Sequence, residues 1–141
     1  MVALFFFCGC SGTSQSEYEQ LAAALQREYD IELGVEVKRI LVLTEEGCPN
    51  CNIYFAKAVT QFIDDPNAII IANASGSRVD LSALNQAVKT ANNVYVARVY
   101  NKGNSFVNET KVIYLEKDKI DTVITINARE IARQFNYIFG E

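Results

Sequence analysis

Hydrophobic positions along this chain follow two kinds of pattern, and the boundaries between them predict its elements. Tyr18, Leu21, Ala22, Leu25 and Tyr29 recur at helical spacing behind Ser16-Glu17-Tyr18-Glu19, which reads as a capping box. A helix is therefore expected from about Glu17 to Tyr29. Lys38 to Thr44, KRILVLT, is a continuous apolar run rich in β-branched residues, the mark of a buried central strand. It leads directly into EEGCPNC. Phe55, Val59, Phe62 and Ile63 then keep a helical period until Asp64-Asp65-Pro66-Asn67 breaks it.

Ala68 to Ala72, AIIIA, predicts a second buried strand, and NASGSR a loop after it. Leu81, Leu84 and Val88 share one face of a helix expected near Asp80 to Ala91, and Asn93 to Tyr100 reads as a third strand. Lys102-Gly103-Asn104 marks a turn. Thr110 to Glu116 and Ile120 to Ile126 form an expected hairpin about Lys117-Asp118-Lys119. Asn127-Ala128-Arg129-Glu130 reads as a second capping box, opening a last helix with Ile131, Phe135 and Ile138 on its inner face. Strands alternating with helices, then a hairpin and a closing helix, imply an α/β fold: a mixed central sheet with helices on both faces.

The first ten residues, MVALFFFCGC, stand apart. This apolar run is too short to cross a bilayer as a helix, which needs about 20 apolar residues. Its length is that of a secretory h-region. Phe7-Cys8-Gly9-Cys10 resembles the end of a bacterial lipoprotein signal, although no Lys or Arg precedes the run. That resemblance implies lipid on Cys10, a signal segment over 1–10, a polar tether over 11–16 and one domain over 17–141. It also implies a bacterial envelope location, facing the periplasm or the cell surface, where disulfides persist. The alternative is a first strand, Val2 to Phe7, buried on both faces.

Charge and composition narrow the chemistry. A net charge of −4 with no basic run argues against nucleic acid as a partner. The chain has 0 histidines, which removes imidazole bases, Cys–His pairs and His-containing metal sites. Thiols, carboxylates, hydroxyls and lysines remain.

From Lys38 to Phe139 the order strand, CxxC, helix, strand, helix, strand, hairpin, helix resembles the thioredoxin-like fold. The likeness is to its periplasmic thioredoxin and peroxiredoxin relatives, which carry an extra strand–helix unit before the third strand. The motif Cys48-Pro49-Asn50-Cys51 is close to the CPxC of glutaredoxins.

Three uses of this pair stay open. As a redox dithiol, Cys48 sits at the end of a buried strand just ahead of a helix, with Pro49 suited to the first helical position. The helix N-terminus favours a thiolate on Cys48, and Cys51, facing inward beside Phe55, resolves the mixed disulfide. Such chemistry needs no cofactor. Its partners are protein or small-molecule disulfides and a dithiol electron donor, with the membrane reached through the lipid anchor. As half of a zinc site, the pair lacks two further ligands. As a staple, it closes too short a loop to constrain the unfolded chain much.

The resemblance has gaps. Thioredoxin-like enzymes carry a cis-proline ahead of the strand facing the CxxC. Here that place falls within Glu109-Thr110-Lys111, and a trans bond is expected. Thr110 is by position the expected neighbour of the dithiol. The buried acid of thioredoxins corresponds to Val42, which leaves Glu45 and Glu46 as the carboxylates that could assist proton transfer from the resolving thiol, or as solvated loop acids. The aromatic residue that flanks WCGPC motifs is replaced by Gly47.

Overall fold

The computed structural model describes residues 16–97 and 106–140. Cys10, where lipid is expected, Cys8, the predicted turn at Lys102-Gly103-Asn104 and the end of the predicted third strand lie outside the described residues.

Helix α1 (Glu17–Tyr29) opens with the expected capping box. The Glu19 amide donates to Ser16 Oγ at 3.2 Å and the Ser16 amide to Glu19 Oε2 at 3.1 Å. It stops at Asp30, whose left-handed backbone (φ 55°) lets the amides of Asp30 and Ile31 reach back to Gln26 and Leu25. Strands β1 (Arg39–Thr44) and β2 (Ala68–Asn73) are buried almost throughout, as their unbroken apolar runs require. Helix α2 (Pro49–Ala58) tightens into a 3-10 turn, Val59–Phe62, before the Asp64-Asp65-Pro66 break.

The region expected to be helical near Asp80 to Ala91 contains a shorter helix, α3 (Ser82–Ala87). Val88 is exposed, and Ala87 and Ala91 lie in the core instead. Strand β3 (Val94–Val96) follows, then the hairpin β4 (Lys111–Glu116) and β5 (Lys119–Thr125), and finally α4 (Ile131–Phe139). The second capping box is rearranged. Asn127 Oδ1 accepts from the amides of Arg129 and Glu130, but the return contact to the Asn127 amide comes from Gln134 Oε1 at 3.1 Å. Glu130 instead pairs with Arg133.

The five strands lie in the order β3-β2-β1-β4-β5. β1 pairs in parallel with β2, and β2 with β3, whereas β4 runs antiparallel to both β1 and β5. The mixed sheet thus has β1 at its centre. Side-chain alternation along the strands splits the core in two. Leu41, Leu43, Ile70 and Ala72 face α2, α3 and α4, while Ile40, Val42, Ile69 and Ile71 face α1. This division fixes the α2 end of β1 and holds its helix from one side.

Phe55 is the main anchor of α2. It is fully buried, one turn beyond Cys51, with its ring edge-on to Phe135 (6.4 Å between centroids) and Phe139 (5.8 Å) of α4. Such rings contribute both buried area and a favourable edge-to-face geometry. Arg39 lies over Phe62, 4.8 Å from the ring centroid, and closes the far end of the same layer.

Candidate functional site

β1 ends at Thr44, and the chain must turn within Glu45-Glu46-Gly47 to start α2. Gly47 makes the turn possible. Its φ of +82° lies in the left-handed region, where a side chain is disfavoured, and nothing stands within 4 Å of the place a Cβ would occupy. Cys48 is then the N-cap of α2, and Pro49 opens the helix, where its missing amide proton leaves no bond unmade.

Cys48 and Cys51 are joined as a disulfide, S–S 2.08 Å, with Cα atoms 5.2 Å apart. The two sulfurs are not equivalent. Cys48 is half-buried, and its Sγ accepts from the Cys51 amide at 3.2 Å, in the place a Ser or Asp oxygen takes in an ordinary N-cap. Cys51 is 1% exposed and belongs to the core around Phe55. One sulfur is reachable from solvent and sits at the positive end of a helix, and the other waits behind it.

Thr110, expected as the neighbour of the dithiol, lies just before β4 and bonds to Asn52 of α2. It is 4% exposed and donates its hydroxyl to Asn52 Oδ1 at 2.6 Å. The peptide bond into Thr110 is trans. Asn52 is the residue sequence reasoning missed. It is 2% exposed and its Nδ2 donates to the Glu46 carbonyl at 2.9 Å. A carbonyl only accepts, so the amide orientation of Asn52 is forced. A signal existed: Asn52 shares the helical stripe of Phe55, Ala56 and Val59.

Glu45, expected as a carboxylate near the dithiol or a solvated loop acid, is tied to the loop after β2. Both its carboxylate oxygens accept from the loop after β2: the amides of Ser75, Gly76 and Arg78 and the Ser75 hydroxyl, at 2.8–3.2 Å. Burial pushes its pKa up, but these hydrogen bonds outweigh it and hold the carboxyl below its usual range. Glu46 contributes backbone, with its side chain exposed. Val42 is fully buried on the α1 side of the sheet. Lys111, whose pKa burial pulls down despite nearby Glu109, lines a cavity with Glu17, Gln20 and Ile113 on that same side.

A cavity of about 620 Å³ opens between α2 and α4, lined by Tyr54, Lys57, Gln61, Ile131 and Phe135 among others. Neither cysteine lines it. Among the described residues, no group of three or more His, Cys, Asp or Glu side chains is arranged to hold a metal ion. No described helix is long and apolar enough to cross a membrane.

These features define an α/β domain with a mixed five-stranded sheet and a disulfide capping the helix that follows its central strand. No family model matches the chain, and no curated protein or solved structure does.

Proposed function

We propose that this chain is a thioredoxin-like thiol–disulfide oxidoreductase of the bacterial envelope, tethered by lipid on Cys10 and working through Cys48 and Cys51. The observation that carries the reading is the asymmetric disulfide at the N-cap of α2, one sulfur half-buried and the other enclosed. The sheet order, with the CxxC strand central and an antiparallel hairpin beside it, supports the fold assignment.

In the reduced protein the Cys48 thiolate attacks one sulfur of a substrate disulfide. A mixed disulfide forms and the other substrate sulfur leaves as a thiolate. The Cys51 thiol, on losing its proton to solvent, attacks Cys48 Sγ. That closes the Cys48–Cys51 bond and releases the second substrate thiolate. Two electrons pass to the substrate, and a dithiol donor returns them to the protein. The donor attacks the accessible Cys48 sulfur and Cys51 leaves; the donor's second thiol then attacks the donor sulfur of that mixed disulfide and Cys48 leaves. The Cys51 amide and the α2 dipole act on the Cys48 sulfur, so the same group is a good nucleophile toward substrate and a good leaving group in that last exchange. Reduction of substrates is the favoured direction.

A second reading has its own observations. Thr110 stands on a trans bond where these enzymes carry cis-proline, and Val42 stands where they carry an acid. Both fit a binding or assembly module with an idle dithiol. Replacing Cys48 with Ser separates the two. Disulfide reduction on insulin should vanish in the variant if the pair is catalytic. Equal rates in variant and parent would leave the module reading.

A further inference from the structure

The polar atoms beneath the CPNC turn form a closed ring. Thr110 commits its hydroxyl proton to Asn52 Oδ1 at 2.6 Å, so in the contact at 3.3 Å the Thr44 hydroxyl donates to Thr110 Oγ1. Asn52 Nδ2 donates to the Glu46 carbonyl at 2.9 Å, and the Glu46 amide donates to Thr44 Oγ1 at 3.3 Å. The Thr44 amide adds a further bond to Thr110 Oγ1 at 3.0 Å. Thr44, Asn52 and Thr110 are all buried.

We propose that Asn52 and Thr110 are positioning residues of the dithiol: their ring holds the Glu46-Gly47-Cys48 turn so that the Cys48 sulfur stays over the Cys51 amide when the disulfide opens. The inference rests on the redox reading of Cys48 and Cys51 and assigns its control to residues outside the motif.

The argument is one of degrees of freedom. In the oxidised form the S–S bond itself limits where Cys48 can go. In the reduced form that constraint disappears, and Gly47, with no side chain, leaves the turn free to swing. Four segments meet in the ring: the end of β1, the turn, the first coil of α2 and the entry to β4. β4 is itself locked to β1 through Val42–Lys111 and Leu41–Val112. The turn is therefore referenced to the centre of the sheet, not only to its own helix. Buried hydrogen-bonded rings of this kind are rigid when every member is satisfied and fail together when one is removed.

The test uses Thr110→Val, isosteric but without the hydroxyl, Asn52→Ala, and Thr110→Ser as the rescue. Two readouts are taken on the full chain: the pH profile of Cys48 alkylation, and the thiol–disulfide equilibrium with glutathione. Loss of the ring is expected to lower the thiolate fraction at pH 7 about tenfold. It should also shift the glutathione equilibrium about tenfold toward the protein disulfide, equal to about 30 mV. Thr110→Ser should restore the parent profile. Variants that fold, yet overlay the parent in both readouts, overturn the proposal. If the variants do not fold, hydrogen exchange on the reduced parent decides: the Thr44 and Glu46 amides should stay protected as in the oxidised form, and their loss of protection on reduction overturns it. Failure of the underlying redox reading looks different, because Cys48→Ser would then match the parent in insulin reduction whatever Thr110 does.

Discussion

Reducing the Cys48–Cys51 bond should leave the fold standing and only modestly less stable. In the chain-entropy account, a disulfide stabilises by restricting the unfolded chain, and the effect grows with the loop it closes. Here only Pro49 and Asn50 lie between the cysteines. The same relation gives about 2 kcal/mol for so short a loop, against about 3 for fifteen residues. The folded state then works against even this. In the reduced form Cys48 can become a thiolate bonded to the Cys51 amide at the helix N-terminus, which the disulfide sulfur exploits less, so the difference should fall below 2 kcal/mol. Reduction potential and stability are linked through the same cycle: about 1.4 kcal/mol corresponds to about 30 mV for a two-electron couple. A gap of less than 2 kcal/mol thus places the pair within about 40 mV of an unstrained dithiol. Urea unfolding of the oxidised and the dithiothreitol-reduced protein, followed by circular dichroism, measures the gap from the two midpoints. A reduced form that is unfolded, or weaker by about 4 kcal/mol or more, would refute the reasoning and make the bond a structural staple.

Further outcomes follow from single side chains. Phe55→Ala empties the site between Cys51 and α4 and should destabilise by about 3–5 kcal/mol in urea unfolding; a loss under about 1 kcal/mol would mean α4 collapses onto the gap. The Tyr29 hydroxyl is buried with no hydrogen-bond partner among the described residues, and burial, with Glu28 nearby, pushes its pKa up to about 12. Because the folded value is raised above 10, stability is present below pH 10 and lost as pH rises toward 12. Tyr29→Phe should remove that loss and stabilise at pH 7 by about 1 kcal/mol, measured as thermal midpoints at pH 7 and pH 11. For Glu45 the folded pKa is depressed, so its contribution is present above about pH 4.5 and lost as pH falls through the folded value. Glu45→Gln should flatten that acid limb of the stability curve, and an unchanged limb would show that the loop 74–78 does not depend on the charge.

The sheet was readable because its two central strands are buried on both faces, which leaves an unbroken apolar run that few other structures produce. α1 announced itself through Ser16 and Glu19, a local signal that tertiary packing had no reason to override. α3 was harder. Leu81, Leu84 and Val88 make a helical stripe, but Leu84, Ala87 and Ala91 make another, and only the closeness of the sheet selects the smaller side chains. The end of α4's cap was misread for a similar reason: Gln134, one turn further on, competes with Glu130 for the Asn127 amide.

At the site, Cys48, Pro49 and Cys51 were legible because strand end, N-cap and first helical position are local matters. Thr110 was expected beside the dithiol from its place in the order of elements, and its hydrogen bonds run to Asn52 and Thr44. Asn52 was not found, because its partner lies 58 residues away and an Asn beside two cysteines reads as a solvated turn residue. Glu45's partners, 30 to 33 residues on, were hidden in the same way. Local chemistry could be read from sequence; the buried polar contacts that position it could not.

The central claim is that Cys48 is the sulfur that attacks. Replacing Cys51 with Ser leaves that nucleophile in place and removes the group that resolves its product. The most direct measurement is the yield of mixed disulfides formed by Cys51→Ser with disulfide-bonded substrate, read on non-reducing gels beside Cys48→Ser. Accumulation with Cys51→Ser, absent with Cys48→Ser and released by dithiothreitol, is the predicted result. No adduct on Cys48, or an equal yield from both variants, would contradict it.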